Sequence, residues 1–314
     1  MIKNKLWDSI KNTYECIKNH DSISENVNSI WCFEGFDGKY DHTLEFYGTD
    51  SFQNYITSGN KNYSKTDVVY HVNEYGYRIP EKKDFEKETK PTIACFGCSQ
   101  TRGVGLPWNE TWTYFLEEKF DFKYSVKNYG VDGASADTIA RLVSNYTINN
   151  KPKAILCLLP DIYRKELYQN NTIYGKYLVN FLRFTEEIEK NIQNSIVECK
   201  KLNFNIWDWK AYKQLSNEEN SLYNVIKNIK FIEFLAESQN ISLSIFTWDH
   251  YLMKILQKNK FNFSSVGKLT KEQYYYLVGN WFKVENARDN IHLGTKPNSI
   301  YADVFYRHIK DKIC

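Results

Sequence analysis

From residue 92 onward, four short strand-like runs (92–96, 124–128, 153–159 and 241–247), the first and third the most apolar, are separated by longer windows in which apolar residues recur every three to four positions. Runs that apolar cannot leave one face in water, and parallel strands need a long crossover between them, which a helix supplies. The pattern predicts an α/β fold in which a mostly parallel central sheet is covered by helices on both faces. Asn109 is the expected cap of a helix carrying Trp112, Phe115, Leu116 and Phe120 on one face, and Ser135 the expected cap of a second over 136–147 with Ile139, Leu142, Val143 and Tyr146 inward. Windows 178–198 and 221–238 are long enough for two more. A terminal helix with Pro297 in its first turn presents Ile300, Tyr301, Val304, Phe305, His308 and Ile309 on one stripe.

Residues 1–90 differ. They are aromatic and polar without a sustained period and end in a charged stretch, 80–90, that reads as a solvated connector. The expected organisation is an N-terminal accessory or cap segment, 1–90, on an α/β domain spanning 91–314. A formal net charge of +3 with 25% charged residues is too weak a bias for nucleic acid or an anionic membrane surface, so neither is an expected partner. Seven scattered cysteines, several inside apolar runs, read as free thiols in a reducing compartment. The N-terminus lacks the apolar core of a signal peptide and no run reaches membrane-spanning length. The expectation is a soluble protein, cytoplasmic or exported by a route not readable in the sequence. Its oligomeric state is not readable either.

Chemistry enters at two places. The first predicted strand runs into Gly97-Cys98-Ser99-Gln100-Thr101, which delivers one hydroxyl at a turn, and Asp289-Asn290-Ile291-His292 supplies a carboxylate and an imidazole near the other end. A serine hydroxyl is a poor nucleophile alone, and a histidine that takes its proton must itself be oriented by an acceptor. In an open parallel sheet the loops at the carboxyl ends of the strands converge on one crevice, where such distant residues can meet.

Those blocks make the chain resemble the SGNH (GDSL-like) hydrolase family. The first block, Gly-Asp-Ser-x-Thr in many members, corresponds to Gly97–Thr101, followed by Gly103-Val104-Gly105 and Asn109-Glu110-Thr111-Trp112. The second resembles Asn128-Tyr129-Gly130-Val131-Asp132-Gly133-Ala134-Ser135, and the fifth Asp289-x-x-His292 with Gly294. Upstream, Asn73-Glu74-Tyr75-Gly76-Tyr77-Arg78 resembles an Asn-x-x-Gly-Phe-Arg lead-in of larger members. The resemblance covers about 70–314.

It implies a flavodoxin-like three-layer sandwich in which Ser99 is nucleophile, His292 general base and then acid, and Asp289 the orienter of His292. The backbone N–H groups of Ser99 and Gly133 are the implied oxyanion donors. The third block departs from the family. Members place an Asn after the third strand, whereas here the strand ends Leu159-Pro160-Asp161-Ile162-Tyr163-Arg164. Either Asp161 is held away or protonated, or Arg164 compensates, or activity is low.

Other clusters have plainer readings. Trp248-Asp249-His250 lies at a strand end and offers a second carboxylate and imidazole, although ordinary hydrogen bonding explains it as well. Gly103-Val104-Gly105 is too short for a dinucleotide loop. His20, His42, His71 and His308 and the pair Cys95-x-x-Cys98 show no metal-ligand spacing, so no metal and no cofactor is expected. The functional expectation is a serine esterase that removes small acyl groups from a carbohydrate through an acyl-enzyme on Ser99. The alternative is a binding or assembly module that keeps the fold without efficient chemistry. The expected partner is a small-molecule or glycan ester.

Overall fold

The computed structural model describes residues 42–58, 62–73, 75–80, 90–168, 176–179, 217–258, 261–279 and 284–313. The chain enters through three short antiparallel strands, β1 (His42–Leu44), β2 (Tyr70–Val72) and β3 (Arg78–Ile79), with helix α1 (Phe52–Ser58) between the first two. The central sheet follows, from β4 (Thr92–Gly97), β5 (Ser125–Gly130), β6 (Ala154–Leu159) and β9 (Ser242–Thr247), all parallel, in the order β5-β4-β6-β9. A hairpin, β7 (Lys165–Tyr168) with β8 (Lys176–Val179), leaves the end of β6.

The helices are α2 (Ser99–Arg102), α3 (Trp112–Lys119), α4 (Ala136–Asn149), α5 (Glu218–Ser238), α6 (His250–Gln257), α7 (Lys271–Tyr274) and α8 (Thr295–Ile313). Strand alternation distributes them between two layers. Ala94, Phe96, Ile155, Cys157, Leu159 and Ile245 face the layer containing α4 and α5. Ile93, Cys95, Ala154, Leu156, Leu158 and Phe246 face the layer of α3 and α8. Trp112, wholly buried, packs on Phe305 of α8 with ring centroids 4.8 Å apart. Truncating a side chain of that size in a closed core costs roughly 3–5 kcal/mol. The architecture is therefore the expected three-layer α/β sandwich.

Local chemistry moves some of the expected boundaries. Thr111, not Asn109, caps α3. Its backbone is extended and its hydroxyl accepts from Tyr114 N–H, while Asn109 sits in a 3₁₀ turn over Trp108–Glu110. Ser135 caps α4 in a reciprocal box with Thr138. The window 178–198 begins inside β8, whose backbone pairs with β7. The rest of that window, like 81–89 of the connector, lies outside the described residues. Cys95, Cys98 and Cys157 are buried free thiols, and burial pushes Cys95 and Cys157 above the usual thiol range. Among the described residues no helix is long and apolar enough to cross a membrane.

Asn73 and Tyr75–Arg78 of the lead-in clamp the loop that follows Ser99. Asn73 Oδ1 accepts from Tyr75 and Tyr77 N–H, closing a turn at Gly76 (φ +83°) that places Arg78 inward. Arg78 is 1% exposed and donates to the carbonyls of Gly103 (2.6 Å), Leu106 (2.8 Å) and Val69 (2.9 Å), with its guanidinium on the Tyr70 ring. Arg102 returns the contact by donating to Gly76 O at 2.9 Å.

Candidate active site

The sheet's strand order reverses at β4. The chain steps from β4 to β5 on one side, then crosses to β6 on the other, the arrangement that in open α/β sheets sets a crevice outside the carboxyl ends of the strands. Ser99 follows β4 immediately as the first residue of α2, buried to 9% exposure. Gly133 lies in the turn after β5 with φ +72°, a conformation that a residue without Cβ adopts freely. Among the described residues, neither the Ser99 nor the Gly133 amide donates a hydrogen bond.

The Asp289–His292 turn is self-organised. Asp289 Oδ1 accepts from the backbone N–H groups of Ile291 and His292, each at 3.0 Å, and Asn290 takes a left-handed conformation at φ +57°. That fold-back brings His292 Nδ1 to 2.6 Å from Asp289 Oδ2. Burial raises the pKa of Asp289, but the ring and backbone N–H of His292 and the Thr49 hydroxyl outweigh it and hold the carboxyl below its usual range. Asp289 and His292 are 2% and 7% exposed. The loop is seated against the one after Ser99. Gly105 (φ +79°) accepts at its carbonyl from Arg288 N–H at 2.9 Å, and a Cβ there would meet Asp289 Oδ1 at 3.2 Å.

Gln100 Oε1 accepts from Leu293 N–H at 3.4 Å, which sets the residue after Ser99 against the residue after His292. Among the described residues Ser99 Oγ itself makes no hydrogen bond to His292.

At the third block, Asp161 Oδ2 accepts from Arg164 Nε at 2.7 Å, and Oδ1 from Tyr163 N–H at 3.2 Å. Arg164 lies over the Trp248 ring at 5.3 Å and also hydrogen-bonds Cys98, whose Sγ accepts from Trp248 Nε1 at 3.1 Å. Its Nη1 is buried without a hydrogen-bond partner. The carboxylate in the Asn-less block is thus matched by a cation that reaches the residue next to Ser99.

Two residues of the crevice gave no recognisable signal in the sequence. Thr49 donates to Asp289 Oδ2 at 2.8 Å and lies 3.4 Å from His292 Nδ1, although no motif marks it and 240 residues separate it from its partner. Asp132 lies within the second block, where nothing in the sequence singled it out. Its Oδ1 is sealed from solvent with no hydrogen-bond partner, and Arg102 Nε stands 4.0 Å away. Desolvation raises the pKa of Asp132 despite the opposing charges of Arg102, His292 and Arg164 and a hydrogen bond from Tyr47.

The rival cluster at β9 is structural. Asp249 caps α6 by accepting from Leu252 N–H at 2.7 Å, and His250 Nε2 faces the carbonyl of Val278 at 3.1 Å. Among the described residues no group of three or more His, Cys, Asp or Glu side chains is placed to hold a metal ion.

No family model matches the sequence. No curated protein matches it either. Solved structures similar to the chain include TesA, at 10% identity and a TM-score of 0.41 over 70% of this chain and 98% of that one. A lipolytic protein of the G-D-S-L family from Veillonella parvula DSM 2008 is 14% identical, with a TM-score of 0.30 over 70% and 97% of the two chains. A carbohydrate acetylesterase family member from Sinorhizobium meliloti is 12% identical, with a TM-score of 0.30 over 70% and 98%. In the order of its motifs and among these structures, the chain is similar to the G-D-S-L, or SGNH, hydrolases.

Proposed function

We propose that the protein is a serine esterase that removes small acyl groups, acetyl foremost, from a carbohydrate. The observation that carries this reading is the Gln100–Leu293 contact, which sets the neighbour of Ser99 against the neighbour of His292 while Asp289 holds the imidazole. In the reaction His292 Nε2 takes the Ser99 proton as Oγ attacks the ester carbonyl, and Asp289 stabilises the imidazolium that forms. The carbonyl oxygen gains charge and is received by the Ser99 and Gly133 amides. His292 then protonates the leaving alcohol, and water, activated by the same ring, hydrolyses the acyl-enzyme.

The carbohydrate part of the reading rests on the family resemblance and on the aromatic and polar composition around the blocks. One observation favours a second reading, a binding module without efficient turnover: Ser99 Oγ is not hydrogen-bonded to His292 among the described residues. A fluorophosphonate probe followed by peptide mapping separates the two. Labelling confined to Ser99, and lost in Ser99→Ala, is the expected result. An unlabelled, folded protein overturns the esterase.

A further inference from the structure

The Asp289 carboxylate has four hydrogen-bonding directions, and four donors fill them. Oδ1 takes the backbone amides of Ile291 and His292. Oδ2 takes His292 Nδ1 at 2.6 Å and Thr49 Oγ1 at 2.8 Å. Three of these donors belong to the turn itself, and the fourth comes from the N-terminal segment.

That segment is not loosely laid on the crevice. Tyr47 and Asp50 exchange backbone hydrogen bonds of 2.9 and 3.1 Å, closing a tight turn with Gly48 at φ +60°. A Cβ on Gly48 would lie 3.0 Å from Asp132 Oδ2, so the turn packs closely against the Asp132 side chain. Asp50, next to Thr49, makes a buried two-pronged pair with Arg288, next to Asp289. Asn54 Nδ2 donates to Thr49 O at 2.6 Å. Two consecutive residues of one loop therefore grip two consecutive residues of the other.

We propose that Thr49 is a positioning residue of the Asp289–His292 pair, delivered to the crevice by a loop that the Asp50–Arg288 ion pair fixes. The proposal rests on the esterase reading for its catalytic consequence and on the geometry alone for its effect on the imidazole. Thr49 fills the last acceptor direction of Oδ2, which stops the carboxylate rocking and keeps Nδ1 protonated toward it. The hydroxyl also draws charge from the oxygen that faces His292, and so restrains the imidazolium form. Asp132, from the turn after β5, faces His292 electrostatically and is itself faced by Arg102 of α2 and Arg164 after β6.

The experiment compares wild type, Thr49→Val and Thr49→Ser in two ways. One is kcat/KM on an activated acetyl ester across pH. The other is the titration of the His292 ring followed by NMR, assigned with His292→Gln. Thr49→Val should lower kcat/KM by roughly tenfold, the size of one hydrogen bond to a charged group, and move the His292 titration upward. Thr49→Ser, which keeps the hydroxyl, should restore both. A Thr49→Val protein with wild-type His292 titration overturns the proposal whether or not the enzyme turns over. A wild type with no Ser99-dependent activity defeats the esterase reading, while the ring titration still decides the role of Thr49.

Discussion

Asp50 and Arg288 are joined through both carboxylate oxygens, Nε at 2.9 Å and Nη2 at 2.7 Å, with neither side chain reachable by solvent. The rest of the pair is also satisfied. Arg288 donates to the carbonyls of Lys65 (2.7 Å) and Glu45 (2.6 Å), and Tyr70 donates its hydroxyl to Asp50 at 2.6 Å while accepting from Gly105 N–H at 2.8 Å. A buried pair is weak evidence of stability by comparison with an apolar replacement, yet losing one partner is costly because the other charge is stranded. Arg288→Met should therefore lower the unfolding free energy by about 3–5 kcal/mol in urea titration. Adding Asp50→Asn to it should recover part of that loss. Losses that simply add would mean that the two side chains do not depend on each other.

Ser99→Ala should abolish hydrolysis of an activated acetyl ester and leave the urea midpoint nearly unchanged. The Ser99 hydroxyl makes no hydrogen bond among the described residues, so its removal orphans no partner. Retained hydrolysis in a folded Ser99→Ala protein would place the nucleophile elsewhere.

Two carboxylates near His292 should influence acid stability with opposite signs. Asp289 is held below its usual range, so its contribution is present above the unfolded-state pKa and is lost as pH falls through the folded one. Asp132 is held above, so its contribution is present below the unfolded-state pKa and is lost as pH rises through the folded value. Asp289→Asn should accordingly destabilise at neutral pH with the difference shrinking in acid, and Asp132→Asn should stabilise at neutral pH, also with a difference that shrinks in acid. Thermal melts from pH 3 to 7 give the test. A destabilising Asp132→Asn at pH 7 would mean that the attraction of Arg102 and Arg164 outweighs the desolvation.

The α/β layers were legible because burial on both faces forces strands such as Thr92–Gly97 and Ala154–Leu159 to be continuously apolar, and that signal is local. The Asp289–His292 pair was legible for the same reason, since its geometry is made by a four-residue turn. Thr49 and Asp50 were not, because their partners are 240 and 238 residues away and their own stretch has no period. The short strands β1 to β3 are held by Arg78, Arg102 and Arg288 reaching backbone carbonyls, contacts that no hydrophobic pattern announces. The cap of α3 fell two residues later than expected because Asn109 and Thr111 are both good caps, and only the 3₁₀ turn between them decides.

Asp161 separates two accounts of the altered third block. If its carboxylate stood where the family's amide stands, Asp161→Asn would supply the missing donor and leave turnover unchanged or raised. The structure instead engages it with Arg164, and Arg164 in turn with Cys98, the residue before Ser99. Asp161→Asn weakens a charge-assisted bond of 2.7 Å and frees the guanidinium to shift over Trp248. The expected outcome is a several-fold fall in kcat/KM with a stability loss of about 1 kcal/mol or less, since the pair is partly exposed. Arg164→Met should fall further, because it also removes the cation that engages Cys98. A gain of activity in Asp161→Asn would place the side chain in the oxyanion site and remove Arg164 from the account.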